Sequence, residues 1–105
     1  MAEVVWTEPA LSDLDAIADY IAVESPTAAA NLVRELLERV CQLAQHPESG
    51  SRPPELSRSG RYRQLVCPPC RIFYRYDGER VLVLHIMRSE RLFDVARLRR
   101  TDPSR

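Results

Sequence analysis

The chain has 105 residues, 45% of them hydrophobic and 29% charged, with 15 basic against 15 acidic side chains. That length fits one compact domain, expected over 1–105, and the composition excludes both a disordered tail and a membrane protein. The zero net charge does not exclude a polyanionic partner, because the charges are segregated: residues 1–51 carry two Arg against nine carboxylates, and 52–105 carry thirteen Arg against six.

In chain order, Val4-Val5-Trp6 reads as a short strand rich in β-formers. Thr7-Glu8-Pro9 reads as a helix start, with Thr7 as N-cap and Pro early in the first turn. Leu11, Leu14, Ile17, Ala18 and Ile21 recur at helical spacing, with Asp13, Asp15 and Asp19 expected mostly on the outer side. This helix should end near Glu24. Ser25-Pro26 restarts the pattern, and Ala29, Leu32, Val33, Leu36, Leu37, Val40 and Leu43 form one apolar stripe that stops at His46-Pro47. The short connection predicts an antiparallel helical hairpin.

Pro47, Gly50, Pro53 and Pro54 then mark a loop. Three strands follow, over Tyr62 to Cys67, Arg71 to Tyr76 and Val81 to Met87, the last two joined through Asp77-Gly78. Leu92 to Arg100 reads as a short closing helix, and 101–105 as a frayed end. The fold class is α+β in the order β-α-α-β-β-β: a helical hairpin on one face of a mainly antiparallel four-stranded sheet, two layers around one core.

Three constellations bear on chemistry. Cys67-Pro68-Pro69-Cys70 has redox or metal spacing, but it brackets a turn between strands. Only Cys41, His46 and His85 remain as further ligands, which argues against a metal centre and for two thiols facing one another across the turn, free in a reducing cell or joined as a disulfide on oxidation. Arg61, Arg63, Arg71, Arg75, Arg88 and Arg91 lie on or near the strands. Arg71 and Arg75 alternate against Ile72, Tyr74 and Tyr76, so they project from the opposite sheet face. They form either a concave basic surface for phosphate or carboxylate, or a solvated face of ion pairs. His85 sits near Arg88 and Arg91, as a proton-transfer group or a satisfied strand histidine. Trp6 and the four Tyr read as core. The N-terminus lacks a basic region followed by an apolar run, so a cytoplasmic protein is expected.

The opening Val-Val-Trp-Thr-Glu-Pro-Ala-Leu, the His46-Pro47-x-x-Gly50 break, Tyr62-Arg63, Arg71-Ile-Phe-Tyr-Arg75 and Val81 to Arg91 together resemble the RelE/ParE superfamily of bacterial type II toxins. The resemblance implies a toxin without cofactors, neutralised by an antitoxin that wraps it. ParE-like members bind and poison DNA gyrase. RelE-like members are ribosome-dependent mRNA endonucleases. By that resemblance Arg71 stands where the nucleases keep a catalytic Arg, Arg91 stands near their second, and Arg63 matches a basic strand position. Arg88 and Arg97 occupy the positions of a proton-transfer group, which Arg cannot serve because it stays protonated. His85 lies one turn earlier. The chain has no Lys for the nuclease lysines. The expected activity is therefore gyrase poisoning, with mRNA cleavage or a non-toxic antitoxin binder as alternatives.

Overall fold

The computed structural model describes residues 1–56, 60–89 and 95–103. A strand β1 (Glu3–Trp6) leads into helices α1 (Glu8–Ala22) and α2 (Pro26–Cys41). Strands β2 (Tyr62–Cys67), β3 (Cys70–Tyr76) and β4 (Arg80–Arg88) follow, and then a short helix α3 (Val95–Thr101). The sheet order is β1-β4-β3-β2. β1 runs parallel to β4, while β2, β3 and β4 form an antiparallel meander. The two helices carry the chain from β1 across to β2 at the far edge of the sheet, and the meander then returns to place β4 beside β1, the long connection that a parallel pair requires.

The helices begin where their caps place them. Thr7 Oγ1 accepts from the Ala10 N–H at 3.3 Å, and Ser25 Oγ accepts from the Ala28 N–H at 3.1 Å. Thr7 also donates its hydroxyl to the Val83 carbonyl at 2.7 Å, which locks the start of α1 onto β4. α1 stops at Ala22, two residues short of the expected end, and a 3-10 turn over Gln42–Ala44 carries Leu43 into the core after α2. Asp77 tightens the β3–β4 turn: its Oδ1 accepts from the Glu79 and Arg80 N–H groups, and Gly78 takes a φ of +98°.

The expectation of one core needs correcting. The larger core lies between the helical hairpin and one sheet face, where Leu14, Ile17, Leu32, Leu36 and Val40 meet Leu65, Ile72, Tyr74, Val81, Val83 and Ile86. A second core lies on the opposite face, where Leu98 of α3 and Leu56 cover Tyr62, Phe73, Leu82, Leu84 and Met87. β3 and β4 are therefore buried on both sides, which explains why seven consecutive residues of β4, Val81 to Met87, are buried. Each such Leu, Ile or Val contributes roughly 1.5–3 kcal/mol by leaving water.

The register of β3 against β4 shifts between Phe73 and Tyr74, so that Phe73 faces His85 while Tyr74 faces Val83. This irregularity places His85 where simple alternation from Leu84 would not.

The loop before β2 is fastened from beneath. Tyr74 donates its hydroxyl to the Pro47 carbonyl at 2.9 Å and accepts from the Gly50 N–H at 2.9 Å. Burial pushes this phenol above its ordinary pKa, which keeps it a donor. A Cβ at Gly50 would lie 2.6 Å from the Gln64 carbonyl oxygen and 2.7 Å from the Tyr74 hydroxyl. Gly50→Ala should therefore cost about 1–3 kcal/mol by overpacking. Urea denaturation checks it, and an unchanged midpoint would show that the loop can move aside.

Candidate functional site

The strand arginines do not form one surface. Cross-strand partners share a face, and Arg63 pairs with Tyr74 on the helix-facing side. Its guanidinium donates to the carbonyls of Glu48 (3.1 Å) and Gly50 (2.9 Å), and it pairs with the Glu48 carboxylate at 3.5 Å. Arg63 thus ties down the loop after α2. Arg71 and Arg75 lie on the other face, as their alternation requires, but Arg75 is buried. Its Nε donates to the Asp102 carboxylate at 3.1 Å. Asp102 also accepts from the Tyr62 hydroxyl at 3.2 Å and lies 3.9 Å from Arg61. Arg91 lies outside the described residues.

The expectation that 101–105 frays is overturned at its first two residues. Thr101 belongs to α3, and Asp102 is 1% exposed. Burying a carboxylate is unfavourable unless it is paired, and Arg75 supplies the pairing charge.

Arg71 occupies a built setting. Its Nε donates to Gln64 Oε1 at 2.8 Å, and its terminal nitrogens hold the Glu55 carboxylate at 3.0 and 2.9 Å. The guanidinium carbon sits 4.8 Å from the Phe73 ring centroid. This is a bidentate oxyanion seat. The Arg71 hydrogen bonds hold the Glu55 carboxyl below its ordinary pKa, more than burial raises it.

A second constellation arises where β1 ends. β1 pairs with β4 only as far as Trp6 opposite Val83, so the next part of β4 meets α1 in place of a strand. Asp13 of α1 reaches this edge. Its Oδ2 accepts from the Ile86 N–H at 3.1 Å and lies 2.7 Å from His85 Nδ1, and its Oδ1 accepts from Arg97 at 3.3 Å. His85 Nε2 lies 2.7 Å from the Thr101 hydroxyl. His85 is 3% exposed, with both ring nitrogens engaged. The structure brings His85 and Arg97 together, and adds Asp13 and Thr101, which sequence reasoning missed.

Beside this network opens a cleft of about 160 Å³, lined by Asp13, Ala16, Tyr20, Met87, Arg88 and Arg97 among others. Arg88 lies 4.0 Å over the ring centroid of Tyr20. Tyr20 is 62% exposed, so the expectation that all four Tyr are core fails for this one. Tyr62 and Tyr74 are buried, and Tyr76 packs against the larger core.

Cys67 and Cys70 are buried, stand opposite one another across the two-residue turn, and are not joined by a disulfide. Burial pushes the Cys67 thiol above its ordinary pKa, which opposes redox or ligand chemistry. Among the described residues no group of three or more His, Cys, Asp or Glu could hold a metal ion, and no helix is long and apolar enough to cross a membrane. With a water-soluble alkylating reagent at pH 8, exposed Cys41 should react at least tenfold faster than Cys67. Peptide mass mapping checks this, and equal rates would mean that the turn opens readily.

Residues 4–93 match the family described as ParE toxin of type II toxin-antitoxin system, parDE. The chain is 40% identical over 89 residues to Toxin RelE2 of Caulobacter vibrioides, a match covering 84% of this chain and 92% of that protein. Among solved structures it resembles a chain of the chromosomal ParDE toxin–antitoxin system from P. aeruginosa, with a TM-score of 0.69 and 29% identity. That match covers 84% of this chain and 96% of the other. With a shared fold, and a family match over most of its length, the chain belongs to the ParE toxins of type II toxin–antitoxin systems, within the RelE/ParE superfamily.

Proposed function

We propose that this toxin acts in the cytoplasm by binding and poisoning DNA gyrase, performs no hydrolysis of its own, and is neutralised by a cognate antitoxin. The observation that supports this reading is the engagement of the candidate side chains inside the fold. Arg63 holds a loop, Arg75 holds Asp102, and His85 lies between Asp13 and Thr101. Ribonucleolytic cleavage needs a proton-transfer group within reach of the attacking hydroxyl, with cations aimed at the phosphate. His85 is enclosed by its own partners, and Arg88 and Arg97 cannot take up a proton.

The antitoxin fits as a chain that orders on binding. Its carboxylates would meet the arginine-rich half, and its apolar side chains would cover Leu11, Tyr20, Val23 and Leu37, which the helical hairpin leaves exposed.

Among the described residues, messenger-RNA cleavage is favoured by one contact, the bidentate seat of Arg71, whose shape suits a phosphate as well as a carboxylate. Induced expression separates the readings. Gyrase poisoning should leave transcripts intact, elongate the cells and induce a DNA-damage response, and the purified toxin should inhibit supercoiling by gyrase. Ribosome-dependent cuts in mRNA, lost in Arg71→Ala, would overturn this reading. Normal growth despite soluble expression would also overturn it, in favour of a non-toxic antitoxin binder.

A further inference from the structure

We propose that Arg71 is a carboxylate-binding site that Glu55 of the same chain occupies in the isolated protein, and that an acidic side chain flanked by apolar residues, from a partner segment, takes Glu55's place. The natural partner deepens the antitoxin reading and rests on it; the site itself does not.

Three observations carry the proposal. First, the Arg71 fork is oriented independently of its occupant. Gln64 Oε1 fixes Nε at 2.8 Å, and the Phe73 ring supports the guanidinium plane at 4.8 Å. Gln64 is itself buried, and both of its backbone groups bond Ser51. A ligand would therefore find the fork already aimed, which lowers the entropy lost on binding.

Second, the occupant is removable. The Glu55 side chain is 39% exposed, against 15% for that of Arg71. Glu55 lies on the short turn Pro54–Leu56, which the buried residues Pro53 and Leu56 anchor independently of the Glu55 carboxylate. Swinging its carboxylate into water leaves those anchors in place. The contrast with Arg75 is informative: there the carboxylate of Asp102 is fully buried and cannot be exchanged without moving α3.

Third, the surroundings suit a peptide more than a nucleic-acid backbone. Val66 stands directly across from Arg71 on the same face and is 49% exposed, an apolar neighbour for a partner side chain. The next arginine along that face, Arg75, is already neutralised by Asp102. A phosphate chain follows a run of cations, whereas the arrangement of the described residues, one aimed fork beside an apolar residue, fits one carboxylate in a peptide.

The experiment titrates purified wild-type protein, Glu55→Gln and Arg71→Gln with two probes: the blocked dipeptide N-acetyl-Glu-Val-amide and the dinucleotide UpU. The readout is the Nε–Hε resonance of Arg71, or backbone amides of β2 in Arg71→Gln. In Glu55→Gln that resonance should stay near its wild-type position before titration, because Gln64 still holds it. The peptide should bind Glu55→Gln about fivefold more tightly than wild type, the size of a good partly exposed ion pair. Arg71→Gln should not bind it. Equal peptide affinity for wild type and Glu55→Gln would overturn the proposal, as would tighter binding of UpU than of the peptide. Because neither probe involves gyrase, ribosome or antitoxin, these outcomes are independent of the toxin's target.

Discussion

Asp102→Ala should lower stability by about 3–5 kcal/mol, the cost of leaving a buried charge without its partner. Asp102 lies only three residues from the end of the chain, where truncation is usually tolerated. Here the carboxylate is fully buried, holds Arg75, accepts from Tyr62 and lies beside Arg61. It also receives no help from solvent. Losing it strands the Arg75 guanidinium beneath α3 and releases Leu98 from the smaller core. For a domain of this size the melting temperature should fall by about 12 °C or more. Asp102→Asn should cost less, since an amide oxygen still accepts from Tyr62. Arg75→Met in the Asp102→Ala background should recover much of the loss, because the stranded charge is then gone. Differential scanning calorimetry of the three variants checks this. A melting temperature within about 2 °C of wild type for Asp102→Ala would mean that the carboxylate does not hold α3 to the sheet.

The second large effect is expected at Asp13. Asp13→Ala removes the acceptor of the Ile86 N–H, the partner of His85 Nδ1 and the anchor of Arg97 together. The cost should be about 2–3 kcal/mol, below that of Asp102→Ala because the neighbouring cleft admits water to part of the site. Asp15→Ala, on the exposed side of the same helix, should change stability by less than about 0.5 kcal/mol. Amide exchange distinguishes the local event from a general loosening. The Ile86 amide should lose protection more than the global stability change accounts for, whereas the amide of Ile72, in the centre of the sheet, should follow that change alone. Equal effects of Asp13→Ala and Asp15→Ala would show that Asp13 is an ordinary surface carboxylate.

These two residues mark where sequence reasoning runs out. Asp13 belongs to a set of three aspartates spaced along α1, and periodicity places it with the outward ones. It is drawn inward because β1 stops at Trp6 and leaves the Ile86 N–H without a strand partner, so an acceptor on α1 becomes favourable. Its other partners lie 72 and 84 residues away, and nothing local marks them. Asp102 follows the last helical residue and reads as part of a loose end; only the second core above it makes it a buried ion-pair partner. The arginine set shows the same limit. Alternation separates Arg71 and Arg75 from the aromatic row, and it does so correctly. It cannot say that Arg63 turns to the other face, that Asp102 neutralises Arg75, or that Glu55 seats itself on Arg71. His85 is the intermediate case: a strand histidine between apolar neighbours reads as buried, but the register shift at Phe73 decides which groups it meets.

The segregated charge of the chain can now be placed. Residues 1–51, with the helical hairpin, carry nine of the fifteen carboxylates and the sheet with α3 carries most of the arginines, but carboxylates of the arginine-rich half itself, Glu55 and Asp102, take up Arg71 and Arg75. The sequence by itself determined the order of elements, the helix caps at Thr7 and Ser25, the strand spans, the apolar stripe of the hairpin and the family. Each of these rests on interactions within a few residues, or on patterns repeated along one element. The tertiary structure alone decided that the described residues form two cores, that Asp13 closes the open edge of β4, and which carboxylates take up Arg71 and Arg75. Those outcomes depend on where a strand ends and which distant carboxylate arrives there, and long-range electrostatic pairing leaves no periodic trace in the chain.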